Sequence, residues 1–368
     1  MNKISYQDYY NKVYGSWLGR VAGDFMGAPL EFKPYHYIKF KYGNIKYFPK
    51  PIDLDYVNDD EMYEICALIA LEKYGPNLTA KDIAKVWLNR LYTQNYTAEK
   101  VALKNLRRGI NPPKSGTYKN IFYDAIGAQM RADIWGLITP GNPDIAKYYA
   151  KMDGSISHGG IGIEGEIFIA DLISQAFFED NIYQNIQSAL TFISKAKESL
   201  YTKMVKKSIQ IYEENPKDFR RARVLLMKYW NRIRWSQLIK KGPFLSLRNI
   251  IFLNKFLSGV HVLPNIGIII LALLYGKDDK EDPFGKSISI AAMMGLDTDC
   301  NCGNIGAILG AQFGEENIPK KWKVPLMDSF STYVRGYEKW KISELSNRIV
   351  KVGIKVIEMK GSTNVKIY

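Results

Sequence analysis

The sequence predicts an all-α fold, a helical bundle, on three observations. Apolar residues recur at helical spacing through most of the chain, start and stop signals bracket those stripes, and strand-like alternation is confined to two short stretches. The first clear stripe runs from Met62 through Ile65, Cys66, Ile69 and Ala70, and it stops at Lys73, Gly75 and Pro76. A second helix starts at Thr79, with Asp82 three residues on as a capping-box partner, and aligns Ile83, Val86, Trp87 and Leu91. Similar stripes fall at Ile163, Ile167 and Ala170, and at Leu345, Ile349, Val352 and Val356. The most apolar stretch, Val260 to Tyr275, is interrupted by His261, Pro264 and Asn265. Its clean portion from Ile266 to Tyr275 is roughly half of the ~20 residues a bilayer span needs, so a buried helix is expected and no membrane segment. Strand candidates are Tyr37 to Tyr47, broken by Gly43 and Asn44, and Val350 to Ile357, whose alternation competes with a helical stripe. Neither has a partner segment of comparable length. No Pro/Gly/Ser-rich linker or internal repeat divides the chain, so a single domain over residues 1–368 is expected.

A chain of 368 residues with 46% hydrophobic and 24% charged residues is neither disordered nor collagen-like. Three cysteines, Cys66, Cys300 and Cys302, are too few and too badly spaced for a disulfide framework or a four-ligand zinc site; they suit a reducing compartment. The first twenty residues lack the apolar core of a secretory signal, and a cytoplasmic location is expected. The net charge of +14 is regional, with sixteen Lys and Arg against four Asp and Glu between residues 195 and 255. There the cations sit at mixed spacing among Tyr229, Trp230, Trp235, Phe244 and Phe252. A polyanion groove is one reading of that pattern; a solvated helical face is the one adopted, so nucleic acid is not an expected partner.

Acidic residues crowd two helix starts. One is Asn58, Asp59, Asp60 and Glu61; the other is Asp297, Thr298, Asp299, Cys300 and Asn301, ahead of Gly303, Gly306, Ala307 and Gly310. A single Asp at such a place is ordinarily an N-cap. Capping uses one carboxylate per start, however, and here each start has at least two, which repel unless a cation lies between them. Oxygen-rich sets suit magnesium, manganese or calcium. An EF-hand is excluded, because the loop glycine falls at the seventh place as Gly303 and Ile308 stands where a bidentate Glu is required. Glycines at 303, 306 and 310 allow a close helix neighbour that could bring the two acidic starts together. Near the N-terminus, glycines at 15, 19, 23 and 27 strip one helix face, and Glu31 follows between Leu30 and Phe32, where a carboxylate gains little without a cation or a proton to handle.

With these residues in view the chain resembles the ADP-ribosylglycohydrolase family, the enzymes related to the dinitrogenase-reductase-activating glycohydrolase. GSWLGRVAGDFMGAPLEF is similar to the family's opening Gly-rich helix, and VNDDEMYEICAL to its Thr-Asp-Asp-Thr helix start. IGAQMRADIWGLITPGNP and SISHGGIGIEGEIFIADLISQAF resemble the central substrate-side segments. HVLPNIGIIILALLYGKDD leads into MGLDTDCNCGNIGAILGAQFG, which resembles the Asp-Thr-Asp signature. The order of the pieces makes the resemblance specific. It implies a compact orthogonal α-helical bundle around a dinuclear site of two Mg²⁺ or Mn²⁺, and hydrolysis of the bond linking ADP-ribose to a protein side chain or small molecule.

The resemblance also assigns roles. Asp59, Asp60, Asp297 and Asp299 become metal ligands, with Asn58 and Cys300 at positions where Thr or Ser is usual. Glu31 takes the place of a mobile glutamate, and proton handling falls to it or to a metal-bound aspartate such as Asp299. Asp24, Gly127, Arg131, Ser157, His158 and Asn301 fall on the substrate side. The chain departs from the pattern at Asn58, Glu61 and Cys300, and Tyr123-Asp124-Ala125-Ile126 replaces a Gly/Asn-rich phosphate loop. Two other functions fit the same residues: a non-catalytic binder of ADP-ribose or a nucleotide, and a metallohydrolase of another ribosylated or phosphorylated small molecule.

Overall fold

The computed structural model describes residues 1–194, 198–240, 259–361 and 364–368. Thirteen helices of eleven residues or more lie among them. These are α1 (Tyr6–Gly27), α2 (Asp60–Tyr74), α3 (Ala80–Arg90), α4 (Thr97–Arg107), α5 (Pro143–Gly154), α6 (Ile161–Ala176) and α7 (Ile182–Ser194), followed by α8 (Leu200–Glu214), α9 (Phe219–Lys240), α10 (Val262–Gly276), α11 (Pro283–Met294), α12 (Thr298–Phe313) and α13 (Ile342–Met359). The helix boundaries follow local chemistry. Thr79 caps α3 as expected, its N–H donating to Asp82 Oδ2 at 3.0 Å. Gly75 ends α2 at φ 74°, a left-handed turn that a residue with a Cβ resists.

α10 is apolar on every side, and every residue from Val262 to Leu274 is buried, which makes it a core helix. At fifteen residues it is about 22 Å long, short of a bilayer core. No helix among the described residues is long and apolar enough to cross a membrane.

Both strand candidates are helical. The alternation at Tyr37 to Tyr47 lies partly in a helix, Tyr35–Tyr42, that stops at Gly43, because i to i+4 backbone bonding is available locally and no neighbouring strand is. Val350 to Ile357 lies inside α13, whose stripe of Leu345, Ile349, Val352 and Val356 is buried. The true strands are three residues long. Asn2–Ile4 pairs in parallel with Val365–Ile367, and Ser329–Ser331 forms an antiparallel pair with Lys339–Lys341.

Several residues in the described part of the basic stretch are tied into the fold. Arg223 Nε donates to Met294 O at 2.6 Å and stacks over the Tyr35 ring. Trp230 is buried against His261. Lys206 pairs with Glu198 at the surface. Phe244 and Phe252 lie outside the described residues.

Candidate active site

Close packing of two helices from opposite ends of the sequence builds the site. The glycine face of α1 lies directly on α12. A Cβ at Gly19 would fall 2.0 Å from Gly306 O, one at Gly23 would fall 2.2 Å from Cys302 O, and one at Gly27 2.2 Å from Thr298 O. Only glycine permits this approach. Thr298 Oγ1 fastens the end of the pair by donating to Gly27 O at 2.8 Å, and Phe32 N donates to Leu296 O at 2.9 Å. Glu31, between those two fasteners, is thereby held beside the start of α12. The start of α2 meets the same place. Asn58 Nδ2 donates to Asp299 Oδ2 at 3.4 Å, and Cys300 Sγ lies 3.4 Å from Asp60 Oδ1. Neither Asp59 nor Asp297, the N-cap residues of α2 and α12, makes a capping hydrogen bond with its side chain, so the ordinary reason for an Asp at a helix start does not apply.

These groups open onto a cleft of about 360 Å³. Of the residues expected from the sequence, Glu31, Asn58, Asp59, Asp60, Gly127, Asp297, Asp299 and Cys300 line it. Asp24, Arg131, Ser157, His158 and Asn301 do not; they are buried in its support. Arg131 donates to Glu99 Oε1 at 2.7 Å, to Asp153 Oδ2 at 2.6 Å and to Ser157 Oγ at 2.9 Å, and Ser157 Oγ is 2.8 Å from His158 Nδ1. Asn301 Nδ2 donates to Asn265 Oδ1 at 2.8 Å, an oxygen that also accepts Asp297 N–H at 3.3 Å and so steadies the start of α12. Asp24 faces Arg20 at 3.7 Å.

Sequence reasoning missed Arg20, Glu99 and the aromatic rim of Phe32, Tyr56 and Tyr96. Arg20 is buried and reaches Asp133 Oδ2 at 2.7 Å and Asp60 Oδ2 at 3.3 Å. Its signal was available as an Arg four residues before Asp24 on a helix face otherwise stripped bare. Glu99 lines the cleft, and a Cβ at Gly127 would lie 2.2 Å from its Oε1, so that glycine makes room for the carboxylate. The rim residues are 42%, 44% and 51% exposed. Phe32, Gln94 and Thr97, all lining the cleft, have φ of 53°, 54° and 34°. Strained backbone of this kind concentrates at functional sites. Volume alone would have pointed elsewhere, to a hollow of about 630 Å³ between Phe178 and Phe192 whose only lining carboxylate is Glu179.

The electrostatics of the cleft ask for a cation. Burial pushes Asp59, Asp60 and Asp297 well above the usual carboxylate range, and the neighbouring Asp299 adds to each. Glu31 is lifted to about 9 by burial, then by Asp299 and Asp59. Buried Oδ1 atoms of Asp297 and Asp299 accept no hydrogen bond. Oxygen donors of this type fit a hard divalent ion, and the residues Asp59, Asp60, Asp297 and Asp299 are the ones positioned to hold it. Burial also pushes the Cys300 thiol up, so it is a neutral S–H and a poor ligand for magnesium.

This predicts a pH signature. A carboxyl raised on folding binds more protons in the native chain than in the unfolded one, so its contribution to stability falls as pH rises between the two values. For Glu31 the window runs from 4.5 to about 9. A cation displaces those protons and relieves the repulsion. The rise in Tm on adding Mn²⁺ to chelator-treated protein is therefore expected to be several degrees larger near pH 8.5 than near pH 6 by scanning calorimetry. An equal rise at both pH values would show that the buried acids are not what the ion relieves.

The helical architecture agrees with the comparisons to known proteins. The chain belongs to the ADP-ribosylglycohydrolase family, whose model matches residues 5–355. ADP-ribosylhydrolase ARH3 of Xenopus tropicalis is 24% identical over 336 residues, covering 85% of this chain and 90% of that protein. An uncharacterized protein of Archaeoglobus fulgidus is 27% identical over 165 residues, which span 43% of this chain and 53% of that protein. A solved structure described as an ADP-ribosylglycohydrolase-related protein complex shares the fold, with a TM-score of 0.62 and 16% identity over 95% of this chain and 99% of that one.

Proposed function

We propose that the chain is a divalent-cation-dependent hydrolase that cleaves the glycosidic bond of ADP-ribosylated substrates and releases ADP-ribose. The convergence of the two acidic helix starts and Glu31 on one cleft supports this reading. Cleavage at C1'' of the distal ribose develops oxocarbenium character. A cleft lined by Glu31, Asp59, Asp60, Glu99, Asp297 and Asp299, and by no Lys or Arg among the described residues, stabilises that positive charge. The bound ion would supply Lewis acidity and a water of lowered pKa. Glu31, once the bound ion has displaced its proton, is the carboxylate placed in the cleft to accept the proton of the attacking water. Glu99 is kept from turning by its bond to Arg131 at 2.7 Å. Phe32, Tyr56 and Tyr96 offer flat apolar faces to a substrate ring at the mouth.

The test is release of free ADP-ribose, measured by chromatography, from ADP-ribosylated protein and from O-acetyl-ADP-ribose in the presence of Mg²⁺ or Mn²⁺. Glu31→Gln is expected to lower turnover by about 10²- to 10³-fold while the ion-free protein melts at or above the wild-type temperature. Wild-type turnover in that variant would remove Glu31 from the chemistry.

A second reading, hydrolysis of a ribosylated small molecule without a diphosphate, draws on one observation. Ile126 N–H donates to Val260 O at 2.8 Å and Val262 N–H to Asp124 O at 3.1 Å, so the loop ahead of Gly127 uses its backbone in pairing with the neighbouring segment. Asp124 adds a buried carboxylate there. Cleavage of nucleosides alone in the same screen would favour this reading and reject the first.

A further inference from the structure

We propose that this centre holds one divalent cation, seated between Asp297 and Asp299, and not the pair that the resemblance implies, because Asn58 and Cys300 turn donors toward the carboxylates of Asp299 and Asp60 where a second ion would need acceptors. The proposal rests on the reading of the cleft as a cation-dependent hydrolase site. Among the described residues, the one group of three acidic or thiol side chains whose ligating atoms all lie within 4.8 Å of one another is Asp297, Asp299 and Cys300. Within it, Oδ1 of Asp297 and Oδ1 of Asp299 are buried and accept no hydrogen bond, and both residues are 4% exposed. Two buried, unpaired carboxyl oxygens on neighbouring residues whose ligating atoms lie within 4.8 Å of one another offer one ion position.

The α2 side of the centre is different. Both oxygens of Asp60 already face a donor of the chain: Oδ1 lies 3.4 Å from the Cys300 thiol and Oδ2 lies 3.3 Å from Arg20 Nη1. Asp299 Oδ2 accepts from Asn58 Nδ2 at 3.4 Å. Asn58 cannot turn its amide to offer an oxygen instead, since its Oδ1 already accepts the Asp59 N–H at 2.7 Å and a flipped NH₂ would face that N–H. A Thr or Ser hydroxyl at position 58 or 300 would present lone pairs to an ion. The amide NH₂ and the S–H present protons to the carboxylates, which is the opposite role. Charge balance points the same way, because the buried Arg20 guanidinium already brings a positive charge to within 3.3 Å of Asp60 and 3.7 Å of Asp24. A second divalent ion would sit beside that guanidinium and displace two hydrogen bonds.

The experiment is equilibrium dialysis of the full chain against Mn²⁺, followed by metal analysis and electron paramagnetic resonance of the bound ion. The expected result is one Mn²⁺ per chain with the spectrum of a magnetically isolated ion. The variant carrying both Asn58→Thr and Cys300→Thr is expected to bind a second Mn²⁺ and to show an exchange-coupled spectrum. Two ions in the wild-type chain would overturn the proposal while leaving the hydrolase reading intact. No bound ion would overturn both. A folded double variant that still binds one ion would overturn the role given to the two donors. If circular dichroism shows that the double variant does not fold, Asp297→Asn in the wild-type chain replaces it: loss of the bound Mn²⁺ supports the seat between Asp297 and Asp299, and retention of a full equivalent rejects it.

Discussion

Asp299→Asn is expected to lower kcat/KM for ADP-ribose release by at least about 10³-fold, about 4 kcal/mol of transition-state stabilisation, while the helical circular dichroism is unchanged. The side chain occupies the pivot of the site. Its Oδ1 is one of the two orphaned oxygens, and its Oδ2 receives Asn58 from the other helix start. Removing the charge takes away a ligand oxygen and weakens the negative field at the sugar. The same change relieves Asp59, Asp60 and Asp297, each of which Asp299 pushes toward its protonated form. In chelator the variant should therefore melt at or above the wild-type temperature, and Mn²⁺ should raise its Tm less. Dead enzyme with a more stable ion-free fold is the outcome that separates a functional carboxylate from a structural one. Full activity would remove Asp299 from the centre.

Gly306→Val is expected to cost about 4 kcal/mol or more, enough to prevent folding of a marginally stable chain. A Cβ at Gly306 would lie 1.9 Å from Gly19 O, and the obstructing atom is helical backbone, which has no rotamer to escape into. Relief requires α1 and α12 to move apart. That would also carry Glu31 away from Asp299, since Thr298 and Leu296 hold the turn on which Glu31 stands. Urea unfolding followed by circular dichroism measures the cost. A midpoint close to wild type would mean that the two helices are separated in solution.

The fold was legible where chemistry is local. Thr79 with Asp82 and the stop at Gly75 act within a turn or two of chain, and the structure uses both; the glycines four apart in α1 could be read as a close-packing face although their partner, α12, lies far along the sequence. The glycine face of α12 was expected to bring the two acidic starts together; it packs instead on the glycine face of α1, and α2 has no glycine and meets the centre through the residues at its start. Arg20 and Glu99 could not be read in the same way. Glu99 sits in the first turn of α4, where an acidic residue is ordinarily a dipole partner, and its orientation comes from Arg131, 32 positions away. Depth was hidden as well. Arg131 follows the cleft residue Met130 directly, but spacing does not reveal which side of a wall a side chain is on, and the structure holds it behind the cleft together with Ser157 and His158. The strand pairs escaped notice because three residues make no period, and Asn2–Ile4 finds its partner only at Val365–Ile367.

The union of α1 with α12 has a consequence for biosynthesis. The bond from Thr298 to Gly27 joins residues 271 positions apart. During translation the first helix leaves the ribosome with its bare side uncovered and waits until almost the whole polypeptide has been made. Contacts of such long range form late and slowly. Until then the aspartates remain hydrated and far from one another. Premature termination anywhere before α12 thus yields a product that lacks the start of α12 and with it one wall of the proposed centre, whatever fraction of its other helices has formed.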